Sequence, residues 1–423
     1  NLLKPGGWLG FIIPKTWFTN DYLGKMRSFL MKETTNLKII DVQDRVFEDA
    51  NVDTSLVIFK KPFANTPAST TTTVGIWKDN KIQFEQQRKI DSNIQAPIAI
   101  NQTNKILENI EKKILEHSDN GQDNIGSNLK ITDGIKLFER GKGIPKQPIE
   151  KENFTNFKTN NNFFNTIQLR DDYYPFYDGK KLHRYQLLNT EKYLHYGKHL
   201  AAPRKLENFS GKHIIIRRIP NKGKYILIST IVDGNSIHLH EQSIWDAHSK
   251  NEKYPLEFML GILNSSITSY WLIMKLGVLS RSTFPQLRSS AIKGIPVIKV
   301  SKKRQNIIVK KVSQIIKLEN RKSEIIYSYQ KSLNIINSTK APAFDSLIQD
   351  TSRINAWLKK NVPVRRLVET FNYVNDLIQE FKVHSDKTSQ LSKDIDMQLY
   401  STLSLTNREI QEMDDVFKQI SKK

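Results

Sequence analysis

The feature that most restricts this fold is a continuous apolar run, Trp8-Leu9-Gly10-Phe11-Ile12-Ile13, between the turn-forming Pro5-Gly6-Gly7 and Pro14. A run without polar alternation predicts a strand covered on both faces, as in the interior of an α/β sheet. Behind it, Tyr22–Lys32 carries Leu23, Met26 and Leu30 at helical spacing. Leu37–Val42 and Thr54–Phe59 predict two further strands. Strand, helix, strand, short loop, strand is the closing part of an α/β domain, and such a sheet needs further strands to bury both faces. The chain opens at Asn1 without Met, so the expectation is a fragment whose earlier strands lie elsewhere.

Charge divides the chain. Residues 1–124 hold 16 Lys and Arg against 15 Asp and Glu, residues 125–300 hold 27 against 14, and residues 301–423 hold 22 against 14. A positive field that begins only after the first third suits a separate module that grips a polyanion; a lysine-rich composition bias is the plain alternative. With no cysteine, disulfides, thiolate zinc sites and a cysteine nucleophile are excluded within the chain. No apolar stretch is long enough to span a membrane.

Residues 62–73, rich in Pro, Ala, Ser and Thr, predict a linker ending in the threonine run Thr70–Thr73. Val74–Trp77 and Lys81–Phe84 predict a hairpin around Asp79-Asn80, and Ile106–Leu115 a short helix. From Leu129 to Val300 short strands alternate with turns, His213–Arg217, Tyr225–Ile231 and Ser236–Leu239 being the clearest strands and Leu256–Lys275 the clearest helix. After Lys302 the chain turns helical: Ile308, Val312 and Ile315 share one face, and Leu367, Phe371, Val374, Ile378 and Phe381 another. Ser338–Phe344 breaks this region, and Thr406 with Glu409 forms a capping box for a last helix. The predicted architecture is an α/β remnant (1–62), a linker with hairpin and short helix (63–124), an α+β module (125–300) and an α-helical C-terminal region (301–423).

The segments Leu3-Lys4-Pro5-Gly6-Gly7, Phe11-Ile12-Ile13-Pro14, Trp17, Arg27-Ser28-Phe29-Leu30, Val46-Phe47 and Val52–Phe59 resemble the end of the catalytic domain of TaqI-like, gamma-class DNA adenine-N6 methyltransferases of the type IIG restriction-modification kind. Gly134-Ile135, Gly141-Lys142-Gly143, Leu200-Ala201-Ala202-Pro203-Arg204, Ile214–Arg218, Leu260–Ser265, Leu287-Arg288 and Ile295-Pro296-Val297 resemble the TaqI-like C-terminal specificity domain. Ile395–Tyr400, Leu405-Thr406 and Glu409-Ile410 resemble the tail of fused restriction-modification enzymes.

The resemblance implies that residues 1–62 end a Rossmann-like methyltransferase sheet and that 125–300 recognise the target. It also implies S-adenosyl-L-methionine as cofactor, double-stranded DNA as partner and a cytoplasmic, prokaryotic setting. Such enzymes flip the adenine out of the duplex before methylating it. The family's Asn-Pro-Pro-Tyr/Phe motif and its Phe-x-Gly-x-Gly-type turn are both missing, and the chain has no Pro-Pro at all. The catalytic residues and the methyl-donor site are therefore expected upstream of residue 1 or on a partner subunit, and this polypeptide alone is expected to be inactive. The aromatic that stacks on the flipped base corresponds to Phe47.

For DNA contacts the richest segment is Ser280-Arg281-Ser282-Thr283-Phe284-Pro285-Gln286-Leu287-Arg288. Arg281 suits guanine O6 and N7, Gln286 an adenine edge, and Ser280, Ser282 and Thr283 phosphates; Arg288 closes the segment. Arg217, Arg218, Arg204, Lys205, Lys180 and Lys181 suit phosphates, as do Lys136, Arg140 and Lys142 around a glycine turn, although each is equally a solvated surface residue. His238 and His240 alternate on one strand with no identifiable third ligand, so no metal is expected. Asp178-Gly179-Lys180 has acids at 171 and 172 too close for a nuclease hairpin, and Gly141-Lys142-Gly143 lacks the helix-opening residues of a phosphate loop. Two other readings stay open: a non-enzymatic DNA-specificity subunit partnering a separate methylase, and an RNA-binding or structural basic protein.

Overall fold

The computed structural model describes residues 3–18, 20–44, 46–47, 52–64, 66, 71–89, 105–276, 287–336, 343–344, 348 and 352–421. It is a mixed α/β structure with several sheets and a helical C-terminal region. Among these residues no helix is long and apolar enough to cross a membrane.

The first sheet contains β1 (Trp8–Pro14), β2 (Thr35–Val42), β3 (Thr54–Lys60), β4 (Thr71–Lys78) and β5 (Lys81–Lys89) in the order β1-β3-β2-β4-β5. Helix α1 (Gly24–Lys32) packs Leu30 and Met31 against Leu37, Ile39 and Val57, and Trp17 donates from Nε1 to Ser55 Oγ at 2.9 Å. Two expectations change here. Thr71–Thr73, read as linker, lie in β4, where Thr72 Oγ1 donates to the Leu37 carbonyl at 2.7 Å. β-branched residues suit a strand once β2 offers them an open edge. Strand β1, read as buried, leaves Trp8, Phe11 and Ile12 about half exposed. It lies at the sheet's edge and, among the described residues, pairs with β3 alone.

The hairpin at Asp79-Asn80 forms as the spacing predicts. Both residues have positive φ (53° and 58°), the two-residue turn whose twist matches its flanking strands. Asp44, beyond β2, accepts both turn amides at 2.9 and 3.0 Å.

A second body begins at α2 (Lys105–Glu116) and α3 (Ile125–Asn128). One four-stranded sheet has the order β13-β12-β15-β6, built from β6 (Leu129–Asp133), β12 (His213–Arg217), β13 (Ser229–Val232) and β15 (Ile244–Ser249). A second has the order β14-β8-β11-β7, built from β7 (Phe164–Asn165), β8 (Tyr173–Tyr177), β11 (Tyr193–His195) and β14 (Leu239–His240). A hairpin, β9 (Leu182–His183) and β10 (Gln186–Leu187), lies between β8 and β11 in sequence, and α4 (Lys151–Asn160) precedes β7. The strand expected at Tyr225–Ile231 forms only from Ser229, and that expected at Ser236–Leu239 is the two-residue β14.

The helix expected at Leu256–Lys275 is two helices, α5 (Leu256–Leu263) and α6 (Ser266–Leu276). Side-chain chemistry breaks it. Asn264 accepts from Ser229 Oγ at 2.7 Å and donates to the Ser229 carbonyl at 3.0 Å, while Asp396 Oδ1 accepts the amide of Ser266 at 2.9 Å, starting α6 afresh.

After α7 (Ser289–Lys293), α8 (Lys302–Ile336) runs antiparallel to α10 (Val364–Thr402), with α9 (Ser352–Asn361) before it and α11 (Asn407–Ser421) last. Arg304–Thr402, Lys311–Asp394 and the two-pronged Arg321–Glu380 contacts mark the antiparallel register. Near the sheets this pair buries Ile308, Val312, Ile315, Leu391, Ile395 and Leu399 in the main core; farther out it builds a second core on Ile325, Tyr329, Val374 and Ile378. Thr406 and Glu409 form the expected capping box (Glu409 Oε2 accepts the Thr406 amide at 2.7 Å). The main core runs unbroken from Leu107 in α2, through both halves of the 256–276 region, to Ile420 in α11.

Candidate DNA interface

Two loops far apart in sequence make one ridge. Lys136 and Ala202 exchange backbone hydrogen bonds at 3.0 and 2.9 Å, Ala201 donates to the Leu137 carbonyl, and Ile144 donates to that of Lys198 at 2.7 Å. Gln147 is the buried pin: its Nε2 donates to the carbonyls of Leu137 and His199, and its Oε1 accepts the Glu139 amide. Close approach explains two glycines. A Cβ on Gly134 would stand 2.2 Å from the Glu241 carbonyl oxygen, and one on Gly143, whose φ is +85°, 2.5 Å from that of His199.

The ridge presents Arg140, Lys142, Lys146, Lys198, Arg204 and Lys205 as exposed cations. Backbone groups fold the loops, so these side chains are left to face solvent. Lys136 is partly neutralised by Glu139 at 3.0 Å. Arg204, itself at φ +65°, donates from Nε to the Gly134 carbonyl at 3.2 Å. On the other side of that peptide, Asp133 takes Arg218 Nη2 at 3.0 Å. Arg218 and Arg204 therefore flank Asp133-Gly134, and the ridge continues into Arg217-Arg218.

These two arginines differ. Arg218 is committed within the fold: it donates to Asp133 and the Gln242 carbonyl, and lies over the Trp245 ring at 4.7 Å. Arg217 lies along Gly179 and spends only Nε, on the Ile219 carbonyl at 2.9 Å; burial draws its guanidinium below its ordinary value. Lys180 is exposed in the adjoining turn, where Asp178 accepts its amide at 2.9 Å.

Of the segment 280–288, Ser280, Arg281, Ser282, Thr283 and Gln286 lie outside the described residues. Its exit is fixed: the Leu287 amide donates to the Arg218 carbonyl at 3.0 Å, and exposed Arg288 reaches Asn20 Oδ1 at 3.3 Å. Whatever 280–286 does, it returns to the body beside Arg217-Arg218. Phe47 is 46% exposed, not buried in a core.

Sequence reasoning missed the residues that fasten the tail to this module. Asp396 caps α6 with one oxygen and accepts from Tyr225 with the other at 2.9 Å. Arg184 sits 3.9 Å over the Tyr225 ring and donates to Ser392 Oγ, and Tyr400 meets Ser266 Oγ at 2.7 Å. The motif Ile395–Tyr400 contained the signal, a lone acid amid apolar residues at helical spacing.

Two family models match parts of this chain. Residues 174–297 match the TaqI-like C-terminal specificity domain, and residues 1–47 match the Eco57I restriction-modification methylase. A protein of Methanocaldococcus jannaschii named as a type II restriction enzyme and methyltransferase is 25% identical over 393 residues, which cover 90% of this chain and 30% of that protein. Among solved structures, the type IIL restriction-modification enzyme MmeI in complex with DNA is similar over 98% of this chain and 49% of its own, at 11% identity and a TM-score of 0.46. A nuclease-deletion mutant of the type ISP enzyme LlaGI, in complex with a DNA substrate mimic, is similar over 93% and 46%, also at 11% identity and a TM-score of 0.46. The chain spans under a third of the curated relative's length and about half of these structures'.

Proposed function

We propose that this chain recognises the DNA target within a site-specific, adenine-N6 restriction-modification methyltransferase. The observation that carries the reading is the ridge: six exposed cations on two loops that backbone hydrogen bonds hold side by side, contiguous with Arg217-Arg218. Phosphate contacts of this kind fix register and orientation, and base-edge contacts then choose the sequence. Arg140, Lys142, Arg204 and Lys205 take the first role. Arg281 and Gln286, with Ser280, Ser282, Thr283 and Arg288 on phosphates, take the second, in the segment whose exit at Leu287 is bonded to Arg218. Arg218 holds the ridge's inner edge rather than touching DNA.

In this reading residues 1–62 belong to the end of the methyl-transfer sheet, and the open edge of β1 is where further strands add. Phe47 stacks on the flipped adenine, a contact worth roughly 1–3 kcal/mol. S-adenosyl-L-methionine is the cofactor of the whole enzyme. The Asn-Pro-Pro-Tyr/Phe and Phe-x-Gly-x-Gly motifs that would hold donor and base are not among these 423 residues, so this polypeptide alone is inactive in methyl transfer. The functional units we propose are 1–62, whose sheet is extended by β4 and β5 of 63–124, then 125–300, into whose core α2 of 63–124 packs, and 301–423.

Duplex binding measured by anisotropy over a salt series tests the reading. Each of Arg140→Ala, Lys142→Ala and Arg204→Ala should weaken binding similarly on all sequences and lower the slope of log K against log salt by roughly 1. Unchanged slopes in all three would remove the ridge from the interface. Equal affinity for duplex RNA would favour a general polyanion binder.

A further inference from the structure

We propose that His213, His240 and Asp246 form a buried site for a divalent transition-metal ion of the zinc type, tying the two four-stranded sheets of the recognition module together. His213 and Asp246 stand on β12 and β15 of one sheet, and His240 on β14 of the other. Their side chains are at most 1% exposed, and their ligand atoms lie within 4.8 Å of one another. Among the described residues they are the one group with such a donor set. Sequence spacing pointed to His238 with His240 and found no third ligand. The fold instead gives His238 to Ser236 and brings His213 and Asp246 to His240.

Three observations favour a cation over a simple hydrogen-bonded cluster. His213 is held between two acceptors: the Gly211 carbonyl lies 2.7 Å from Nδ1, and Asp246 Oδ1 lies 3.1 Å from Nε2. A neutral imidazole has one N–H and satisfies only one of them. A metal at Nε2 removes the conflict and leaves Nδ1–H on the carbonyl, the outer contact that metal-binding imidazoles make. Next, both histidines converge on the same carboxylate oxygen, His240 Nε2 at 2.6 Å, while Asp246 Oδ2 is buried with no hydrogen-bond partner. A fully buried carboxylate with a bare oxygen calls for a water or an ion. Finally, Thr132, paired with Asp246 across the strands, also has a buried, unpartnered Oγ1, which suits a water completing the coordination. Nδ1 of His240 lacks a partner in either arrangement.

The ligand set fits the ion. Two imidazoles and a carboxylate suit zinc and its neighbours better than magnesium or calcium. Tetrahedral zinc needs ligand atoms about 3.4 Å apart, a small spreading of the observed 2.6 and 3.1 Å contacts. The ring of His248 stacked on His213 at 4.3 Å, and the ring of Phe209 against His240, shield the site from bulk solvent. With all three side chains enclosed between the two sheets, the ion's role here is to join them.

The test uses the full chain, stripped with a chelator and titrated with Co²⁺ while its visible absorption is recorded. The expected result is one equivalent bound with the intense bands of an inner-sphere, low-coordinate ion, displaced by one equivalent of Zn²⁺, with a higher thermal midpoint on loading. Asp246→Asn and His240→Gln should abolish the bands, while His183→Ala, at an exposed histidine, should keep them. X-ray absorption of the zinc-loaded wild type should show two imidazoles and oxygen ligands, a readout independent of whether the variants fold. No saturable uptake by the wild type, bands that persist in both cluster variants, or a shell without two imidazoles would overturn the site.

Discussion

Strand β1 leaves Trp8, Phe11 and Ile12 about half exposed, whereas β12 leaves Ile214, Ile215 and Ile216 no more than 1% exposed. Both are continuous apolar runs, and the longer one, at β1, is the more exposed, so the difference lies in their neighbours. β12 sits between β13 and β15, under the helices of the main core; β1 has β3 on one side. The region around β1 is near charge balance and carries an apolar edge, the chemistry of a surface that another protein segment covers. The body from Leu107 to Ile420 closes its core on itself and displays cations. One region leaves an apolar edge open; the other closes its core and turns cations outward.

The largest effect should follow from breaking the closed core. Trp245, fully buried, packs beneath Arg218 and donates to Asp133 at 3.0 Å. Trp245→Ala should cost ~3–5 kcal/mol. Because α2, the sheets and α11 share one core, hydrogen exchange should show amides of 391–420 losing protection together with those of 213–263. Amides of 35–60 should keep theirs. If all three regions lose protection equally, the two-region contrast fails.

The next effect sharpens the contrast through pH. Burial raises the Asp396 carboxyl above its ordinary value, and its contacts with Ser266 and Tyr225 only partly offset this. A group with a raised folded value stabilises the fold below its unfolded value, and that contribution is lost as pH rises through the raised value. Asp396→Asn keeps an acceptor for Ser266 or Tyr225 and cannot ionise. In urea unfolding it should therefore gain on the wild type as pH rises above about 4, the unfolded value. Asp396→Ala, which leaves the α6 amide and the Tyr225 hydroxyl unpaired, should lose ~1–3 kcal/mol. A wild-type to Asn difference that stays flat with pH would mean that the folded and unfolded carboxyls titrate alike, so that burial does not set the charge of Asp396.

What could be read from the sequence was what local physics decides. β12 and the ends of β2 and β3 followed from apolar runs, the hairpin from Asp79-Asn80, and the start of α11 from Thr406 and Glu409. What could not be read depended on partners distant in the chain. The break at Asn264 exists because Ser229 and Asp396 meet it, and Thr71–Thr73 became a strand because β2 had a free edge. The ridge was partly legible: Arg140, Lys142, Arg204 and Lys205 were singled out, but their adjacency needs Gln147 to join residues 137 and 199. Arg218, read as a phosphate contact, was recruited by Asp133 and Trp245, which nothing in its local sequence announces.

The smallest effect tests whether the first sheet is finished on its far side, at the β4–β5 hairpin. Asp44 accepts the amides of Asp79 and Asn80, and these two bonds hold its carboxyl below the ordinary value. The group is exposed, so its removal should barely move global stability. Asp44→Asn should instead speed exchange of those two amides and leave the amides of β2 and β3 unchanged. The sign with pH is fixed: a lowered carboxylate supports the turn above its ordinary value, and that support fades as pH falls through the lowered one. Faster exchange throughout β4 and β5 would show that Asp44 carries the hairpin's docking as well as its turn. The sheet would then be weak at both edges, and the contrast with the body would lie in the whole sheet rather than in β1 alone.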